Sequence, residues 1–492
     1  MEVEKGHPKG LYVLFFTEMW ERFSYYGMRA LLIFYCTDTF LFGDQKSYAI
    51  YGSYTALVYL TPVFGGFIAD RFLGYKRSII VGASLMALGH FCMAIETQTV
   101  FYLALALLIV GNGFFKPNMS TIVGELYHEN DPRRDAGYTV FYMGVNLGGA
   151  LAPIATGFVG KAFGWHWGFT LAGIGMVGGL INFLYAKDRF KGIGDPPAPD
   201  KLTQPVFGNM NRQMLIWVGA AVSVAVCWKL IQMPAVVGYL LTTVGVIVFA
   251  GLLLYSFVRC EGIVRHRMWV ALTLMAFSVV FWAFFEQGGS SLNLFAERNV
   301  NKVVFGWAVP APVLQAINPI YILLFGGVFA SLWINLGRIG REPTIPLKFG
   351  LGILQLGAGF AAWYYGAVLA QDDGIVAFAW LALGYLLYTT GELCLSPVGL
   401  SMITKLSPRG ITGMMMGTWY LSISFAQYAA GMIAQLTGIE TEAGESVASI
   451  APADTVMVYG GVFGKIALVA VGVGLFVMVV SPLINRGTHG IR

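Results

Sequence analysis

Charge is what this chain has least of: only 12% of its 492 residues are Asp, Glu, Lys or Arg, against 57% hydrophobic. A soluble protein of that make-up would need an implausibly large core, which excludes that class. Cysteine is scarce as well. Cys36, Cys92, Cys227, Cys260 and Cys394 show neither paired nor metal-type spacing, and most lie in apolar runs, so they read as small hydrophobes. The six histidines are scattered, with His7, His128, His266 and His489 in loops, and no metal centre is expected. No serine/histidine/acid set falls among the polar residues within the apolar runs, which argues against an enzyme. No cleavable signal peptide is expected either, because the first apolar segment is too long and carries Glu18, Glu21 and Arg22.

What the chain has instead is apolar runs of about 20 residues, the signal of a bilayer span. Fourteen are read: 11–37, 48–68, 78–96, 100–126, 136–163, 167–186, 213–232, 235–257, 268–294, 312–336, 346–370, 375–404, 413–437 and 456–484. The fold class expected is therefore an all-α polytopic membrane protein. The net charge of +5 is no nucleic-acid footprint, because the basic residues collect in alternate loops. Those loops include Lys5/Lys9, Arg71/Lys76/Arg77, Arg133/Arg134, the stretch 187–212, Lys405/Arg409 and Arg486/Arg492, whereas 438–454 carries Glu440, Glu442, Glu445 and Asp454. By the positive-inside rule both termini are cytoplasmic, as an even number of spans requires.

The run 17–29 places four charges inside the first apolar segment. On a helix, Glu18, Arg22, Tyr25/Tyr26 and Arg29 recur every three or four residues and share a stripe, with Glu21 at its edge. Four charges facing lipid would cost on the order of 10 kcal/mol, so they face water or one another. Two carboxylates beside two guanidinium groups form a device whose proton affinity depends on its neighbours. A static ion-pair cluster that only docks helices is the plainer alternative, and buried pairs are a poor route to stability.

Further along, the loop 66–77 carries Asp70, Arg71, Gly74, Lys76 and Arg77 and reads as a hinge-like cytoplasmic latch or as an ordinary basic loop, with Asp70 pairing a basic residue or capping the next helix. In 111–118, Pro117 bends a helix and Lys116 adds a cation deep in an apolar run, too far from either end to snorkel easily. In 141–149, glycines permit close helix contact, and Asn146 serves as inter-helix glue or as a substrate contact. The proline-rich stretch 187–212 is a linker, and the hairpin broken at Met233-Pro234 is read as lipid-facing, without a substrate role. The second half then echoes the first: Glu286 occurs in 281–287, and 391–397 keeps the Gly-to-Pro interval of 111–117, with Glu392 at the place of Asn112. Such a repeat is the plan of a transporter with a midplane site.

These residues, namely Glu18-x-x-Glu21-Arg22-Phe23-x-Tyr25-Tyr26, the 66–77 loop with Gly89-His90, Phe114-Phe115-Lys116-Pro117-Asn118, and the runs 141–148, 281–287 and 391–401, resemble the proton-coupled oligopeptide transporters. The resemblance covers nearly the whole chain and implies the major facilitator fold: a six-helix bundle in 1–190, a linker and inserted two-helix hairpin in 191–262 as in prokaryotic members, and a second six-helix bundle in 263–492. It implies that Glu18, Glu21, Arg22 and Glu286 couple protons to transport, that Arg29 pairs with Glu286, and that Lys116 pairs with Glu392. It also implies that Glu392 holds a peptide's amino terminus, that Arg29 and Lys116 hold its carboxylate, and that Tyr25, Tyr26, Tyr59, Asn146, Trp282, Asn318 and Trp419 line the cavity. Some animal members use a histidine on the second helix; this one has none there, which leaves proton handling to carboxylates.

Independently of the resemblance, a zwitterionic peptide needs an anionic and a cationic anchor, polar groups for its amides and adaptable aromatic pockets, all of which the inventory supplies. The expectation is a symporter importing di- and tripeptides across the cytoplasmic (inner) membrane by alternating access. It would work as a monomer, with no cofactor beyond the proton gradient. The rivals are a proton-coupled carrier of another small anion or peptide-like drug, a membrane enzyme, and a nutrient receptor that binds without transport.

Overall fold

A computed structural model describes residues 6–491, apart from 129, 130, 132, 191, 209, 305, 409 and 440–449. Lys5, Arg409, Glu440, Glu442, Glu445 and Arg492, used above to assign loops, lie outside the described residues. The chain divides into two compact units: residues up to Tyr35 with Leu57–Met233, and Cys36–Ala56 with Pro234 onward.

The long helices are α1 (Lys9–Phe34), α2 (Asp44–Ile68), α3 (Tyr75–Cys92), α4 (Gln98–Glu125), α5 (Arg134–Phe163), α6 (Trp165–Ala186) and α7 (Arg212–Ile231). They continue as α8 (Pro234–Arg259), α9 (Gly262–Phe285), the shorter α10 (Ser291–Asn299), α11 (Ile317–Arg338), α12 (Ile345–Leu369), α13 (Phe378–Leu406), α14 (Thr412–Gln435) and α15 (Pro452–Arg486). Two tiny antiparallel hairpins, Pro205–Phe207 with Met210–Asn211 and Val303–Val304 with Trp307–Ala308, are the sheets among the described residues.

Eleven of the helical segments among the described residues are long and apolar enough to cross a bilayer, three fewer than the fourteen spans expected from the sequence. The remaining long helices, α1, α3 and α14, have the length and fall short on hydropathy. The cause is their content: α1 holds Glu18, Glu21, Arg22 and Arg29, and α14 holds Thr418, Ser422, Ser424 and Gln427. The chain is a multi-pass membrane protein whose most polar helices are those that carry, or pack beside, the candidate site.

Within the first unit, α1 packs on α5 and α6, α3 on α4 and α6, and α7 on α4. Glycine sets these approaches. A Cβ on Gly148 would lie 2.2 Å from the Met19 carbonyl, and one on Gly144 2.9 Å from that of Phe15, so α5 rests its small-residue face on the charged stretch of α1. In the second unit α12 packs on α13 and α15, α9 on α14, and α8 on α14. The repeat seen in the sequence recurs as matched crossings. A Cβ on Gly82 would meet the Gly111 carbonyl at 2.6 Å and one on Gly111 the Gly82 carbonyl at 2.8 Å; for Gly352 and Gly391 the reciprocal distances are 2.8 and 2.7 Å.

Two details differ from the sequence reading. Asp70 does not cap the next helix: α2 runs into a π-type turn, Ala69–Leu73, and Gly74, with φ of 72°, is the N-cap of α3. That loop is instead tied down by Lys76, whose Nζ lies 3.0 Å from Asp195 Oδ1 and whose N–H donates to the Gly194 carbonyl. The apolar run 268–294 is not one helix either. It breaks at a 3₁₀ turn, Glu286–Gly289, because Gly288 and Gly289 give up helix propensity.

The hairpin predicted to face lipid consists of α7 and α8, both mostly exposed and apolar. Its two arms belong to different units.

Candidate functional site

In α1, Glu18 and Glu21 are fully buried, and Arg22 and Arg29 nearly so, at 5% and 9% exposure. Arg22 forks onto Glu21, with Nε 2.5 Å from Oε2 and Nη2 2.5 Å from Oε1, the bidentate match of guanidinium and carboxylate. Its Nε is 3.5 Å from Glu18 Oε1. From α4, Lys116 Nζ reaches the same Glu18 oxygen at 2.6 Å, and Asn112 Nδ2 reaches Glu21 Oε1 at 3.5 Å. The four charged groups sum to zero, which is how two acids survive burial. Glu18 Oε2 is buried with no hydrogen-bond partner among the described residues.

Proline explains how Lys116 is presented. α4 continues through Pro117, which cannot donate to the Gly113 carbonyl one turn earlier. That carbonyl lies against Gly65 of α2, where a Cβ would approach to 1.9 Å. Thr61 Oγ1 donates to the Ile109 carbonyl at 2.9 Å and Asn118 Nδ2 to that of Phe114 at 2.6 Å, so the bent segment is stitched and Lys116 is held toward α1. The aromatic partners follow the stripe. The Arg22 guanidinium lies 5.0 Å from the Tyr25 ring centroid and 5.8 Å from that of Tyr26, and Arg29 lies 5.9 Å from Tyr26. Asn146 donates to the Tyr142 carbonyl in its own helix at 2.9 Å, and Tyr59 is half-buried on α2.

The second unit carries the other expected residues. Glu286, 5% exposed, opens the 3₁₀ turn after α9. Beside it, Gln287 donates to the carbonyls of Ala283 and Ala430 and accepts from Ser291, and the Tyr388 hydroxyl donates to the Phe285 carbonyl at 2.7 Å, which pins the break. Trp282 has its Nε1–H buried without a hydrogen-bond partner among the described residues. Glu392 Oε2 accepts from Asn318 Nδ2 at 3.0 Å, and that amide also reaches Thr389 Oγ1 at 3.0 Å. Trp419 is buried, its ring edge against Gly399.

The structure thus brings Glu18, Glu21, Arg22 and Lys116 into one cluster with Tyr25 and Tyr26, and Glu392 and Asn318 into another. Within the first unit, Lys116 is ion-paired to Glu18. Asn112 and Thr389 were not singled out. Spacing could have found both, since Asn112 is one turn before Lys116 and Thr389 three residues before Glu392 on their helices.

The POT family model matches residues 76–456. Dipeptide and tripeptide permease A of Erwinia pyrifoliae is 33% identical over 98% of this chain and 95% of its own. Among solved structures, a mutant peptide transporter POT in complex with alafosfalin is 34% identical with a TM-score of 0.84, covering 99% of this chain and 97% of that one. A POT family transporter in complex with 5-aminolevulinic acid is 30% identical with a TM-score of 0.82, each chain covered to 98%.

Proposed function

This chain belongs to the POT family, and from that premise we propose that it is a proton-coupled symporter importing di- and tripeptides across the cytoplasmic membrane. Its architecture is the major facilitator one, with six-helix bundles in 1–190 and 263–492, an inserted hairpin in 191–262, fourteen spans and both termini in the cytoplasm. It acts as a monomer, driven by the proton gradient without a cofactor.

The observation that carries the reading is the neutral quartet Glu18/Glu21/Arg22/Lys116, its carboxylates fully buried, in which Glu18 Oε2 has no hydrogen-bond partner among the described residues. Such a group accepts a proton when a neighbouring cation is drawn away. A peptide carboxylate attracting Arg29 and Lys116 does that. Lys116 leaves Glu18, the acids Glu18, Glu21 and Glu286 take up a proton as a coupled set, and Glu392, positioned by Asn318, receives the peptide ammonium. Tyr25, Tyr26, Tyr59, Asn146, Trp282 and Trp419 accommodate the amides and side chains. Release toward the cytoplasm returns Lys116 to Glu18 and expels the proton. One charge moved inward is worth about 2.3 kcal/mol per 100 mV and each pH unit about 1.36 kcal/mol, so one proton sustains a peptide gradient of roughly a hundredfold or more.

The test is acid-driven uptake of labelled dialanine into proteoliposomes. Glu21→Gln is expected to abolish accumulation against a gradient while peptide counterflow persists in part; undiminished accumulation would refute the assignment. A second reading, transport of other small zwitterions or peptide-like drugs, draws on the relative bound to 5-aminolevulinic acid. Failure of excess dialanine to compete with labelled 5-aminolevulinic acid would favour it.

A further inference from the structure

A second group of ionisable residues lies at one end of the first unit, where α1 and α5 begin and α4 and α6 end. A cavity of about 1020 Å³ opens there. Its rim carries Lys9, Arg133 and Arg189 against Glu125 and Asp131, a balance of three positive to two negative, with His7 and His128 beside them. Leu126, Phe190 and Ile193 give it an apolar floor.

The charges are not equally available. Arg133 forks onto Asp131 at 3.0 and 2.8 Å and donates to the Gly6 carbonyl at 2.5 Å. The hydrogen bonds from the Arg133 side chain and backbone hold the Asp131 carboxyl at about 2, so that pair is ionised and mutually satisfied at any physiological pH. Glu125 lies beside the Tyr75 phenol. Lys9 and Arg189 have no ion-pair partner among the described residues. Two cations without an ion-pair partner among the described residues therefore face one cavity above an apolar floor, where the ends of α1, α4, α5 and α6 meet. The volume far exceeds what an inorganic anion fills.

We propose that this cavity binds the phosphate group of a ligand with an apolar body, Lys9 and Arg189 holding the phosphate and Leu126, Phe190 and Ile193 the apolar part. An anionic phospholipid has that chemistry. A phosphate oxygen accepts charge-assisted hydrogen bonds from both cations, and the diacyl-glycerol end leaves along the floor.

The experiment uses the full chain purified in neutral detergent and titrated with dioctanoyl phosphatidylglycerol, dioctanoyl phosphatidylcholine or glycerol 3-phosphate, with bound species counted by native mass spectrometry. Phosphatidylglycerol is expected to bind, and Lys9→Gln/Arg189→Gln to weaken it tenfold or more at an unchanged unfolding temperature. Lys229→Gln/Arg338→Gln, the same loss of charge elsewhere, should leave binding intact. Glycerol 3-phosphate binding as tightly as the lipid, with the same sensitivity to the double substitution, would overturn the apolar half of the proposal. Equal lipid binding by wild type and the Lys9/Arg189 variant, or an equal loss in the control pair, would overturn it entirely.

Discussion

At the scale of single residues, the quartet around Glu18 makes opposite demands on its members. Lys116 is the partner nearest solvent, about one-third exposed, whereas the carboxylates it helps neutralise are fully shielded. Removing it by Lys116→Met leaves Glu18 with the more distant Arg22 alone, at 3.5 Å. The expected loss is on the order of 2 kcal/mol, below the 3–5 kcal/mol of a wholly buried pair because water reaches the ammonium. Adding Glu18→Gln should recover most of it. A double-substitution cycle on thermal unfolding in detergent measures that coupling, and a cycle that closes to zero would mean that the 2.6 Å contact contributes nothing. The pairing also shows where sequence reasoning stopped. The stripe on α1 follows from helical period alone, but the Lys116–Glu18 contact does not, because the two residues lie 98 positions apart on different helices and no periodicity links them.

At the scale of helices, the readable part was the small-residue pattern and the unreadable part was where hydropathy dips and helices break. Gly111 and Gly391 were aligned from the sequence by their equal distance to a proline, and their helices cross their neighbours at matched glycines, Gly82 and Gly352. The 3₁₀ break at Glu286 is not legible in the sequence, because an apolar run containing Gly288-Gly289 reads as one span, and what fastens the turn is Gln287 and Tyr388. From the glycine contacts, Gly82→Ala and Gly391→Ala should each cost about 1–3 kcal/mol, since the new methyl meets backbone that cannot yield. Gly251→Ala on the exposed arm α8, where nothing lies within 4 Å, should be neutral or slightly stabilising. Circular-dichroism melts of the three variants check this, and indistinguishable melts would mean that the crossings relax freely.

At the scale of the whole molecule, one contact joins chain segments 254 residues apart and left no trace in the sequence. Arg298, from α10, grips Asp44, in the first turn of α2, through two bonds of 2.6 and 2.8 Å. Tyr459 adds its hydroxyl to the same guanidinium at 2.6 Å, and the Ile439 N–H donates to Asp44 at 3.1 Å. Asp44 is fully buried and Arg298 nearly so. Nothing in composition or period marks them, because each looks like an ordinary helix-end charge. Asp44→Asn and Arg298→Gln are each expected to lower the unfolding temperature, with a coupling of about 3 kcal/mol between them. The reciprocal exchange Asp44→Arg/Arg298→Asp should restore part of it, and purely additive effects would show that the fork carries no weight.

The neutrality of the Glu18/Glu21/Arg22/Lys116 set also constrains how such chains diverge. No member can change its charge alone without stranding another in a medium that cannot screen it, so descendants are expected to drift by exchanging residues in compensating pairs. An alignment of homologues in which Lys116 is lost while Glu18 stays acidic, with no new cation nearby, would contradict that expectation.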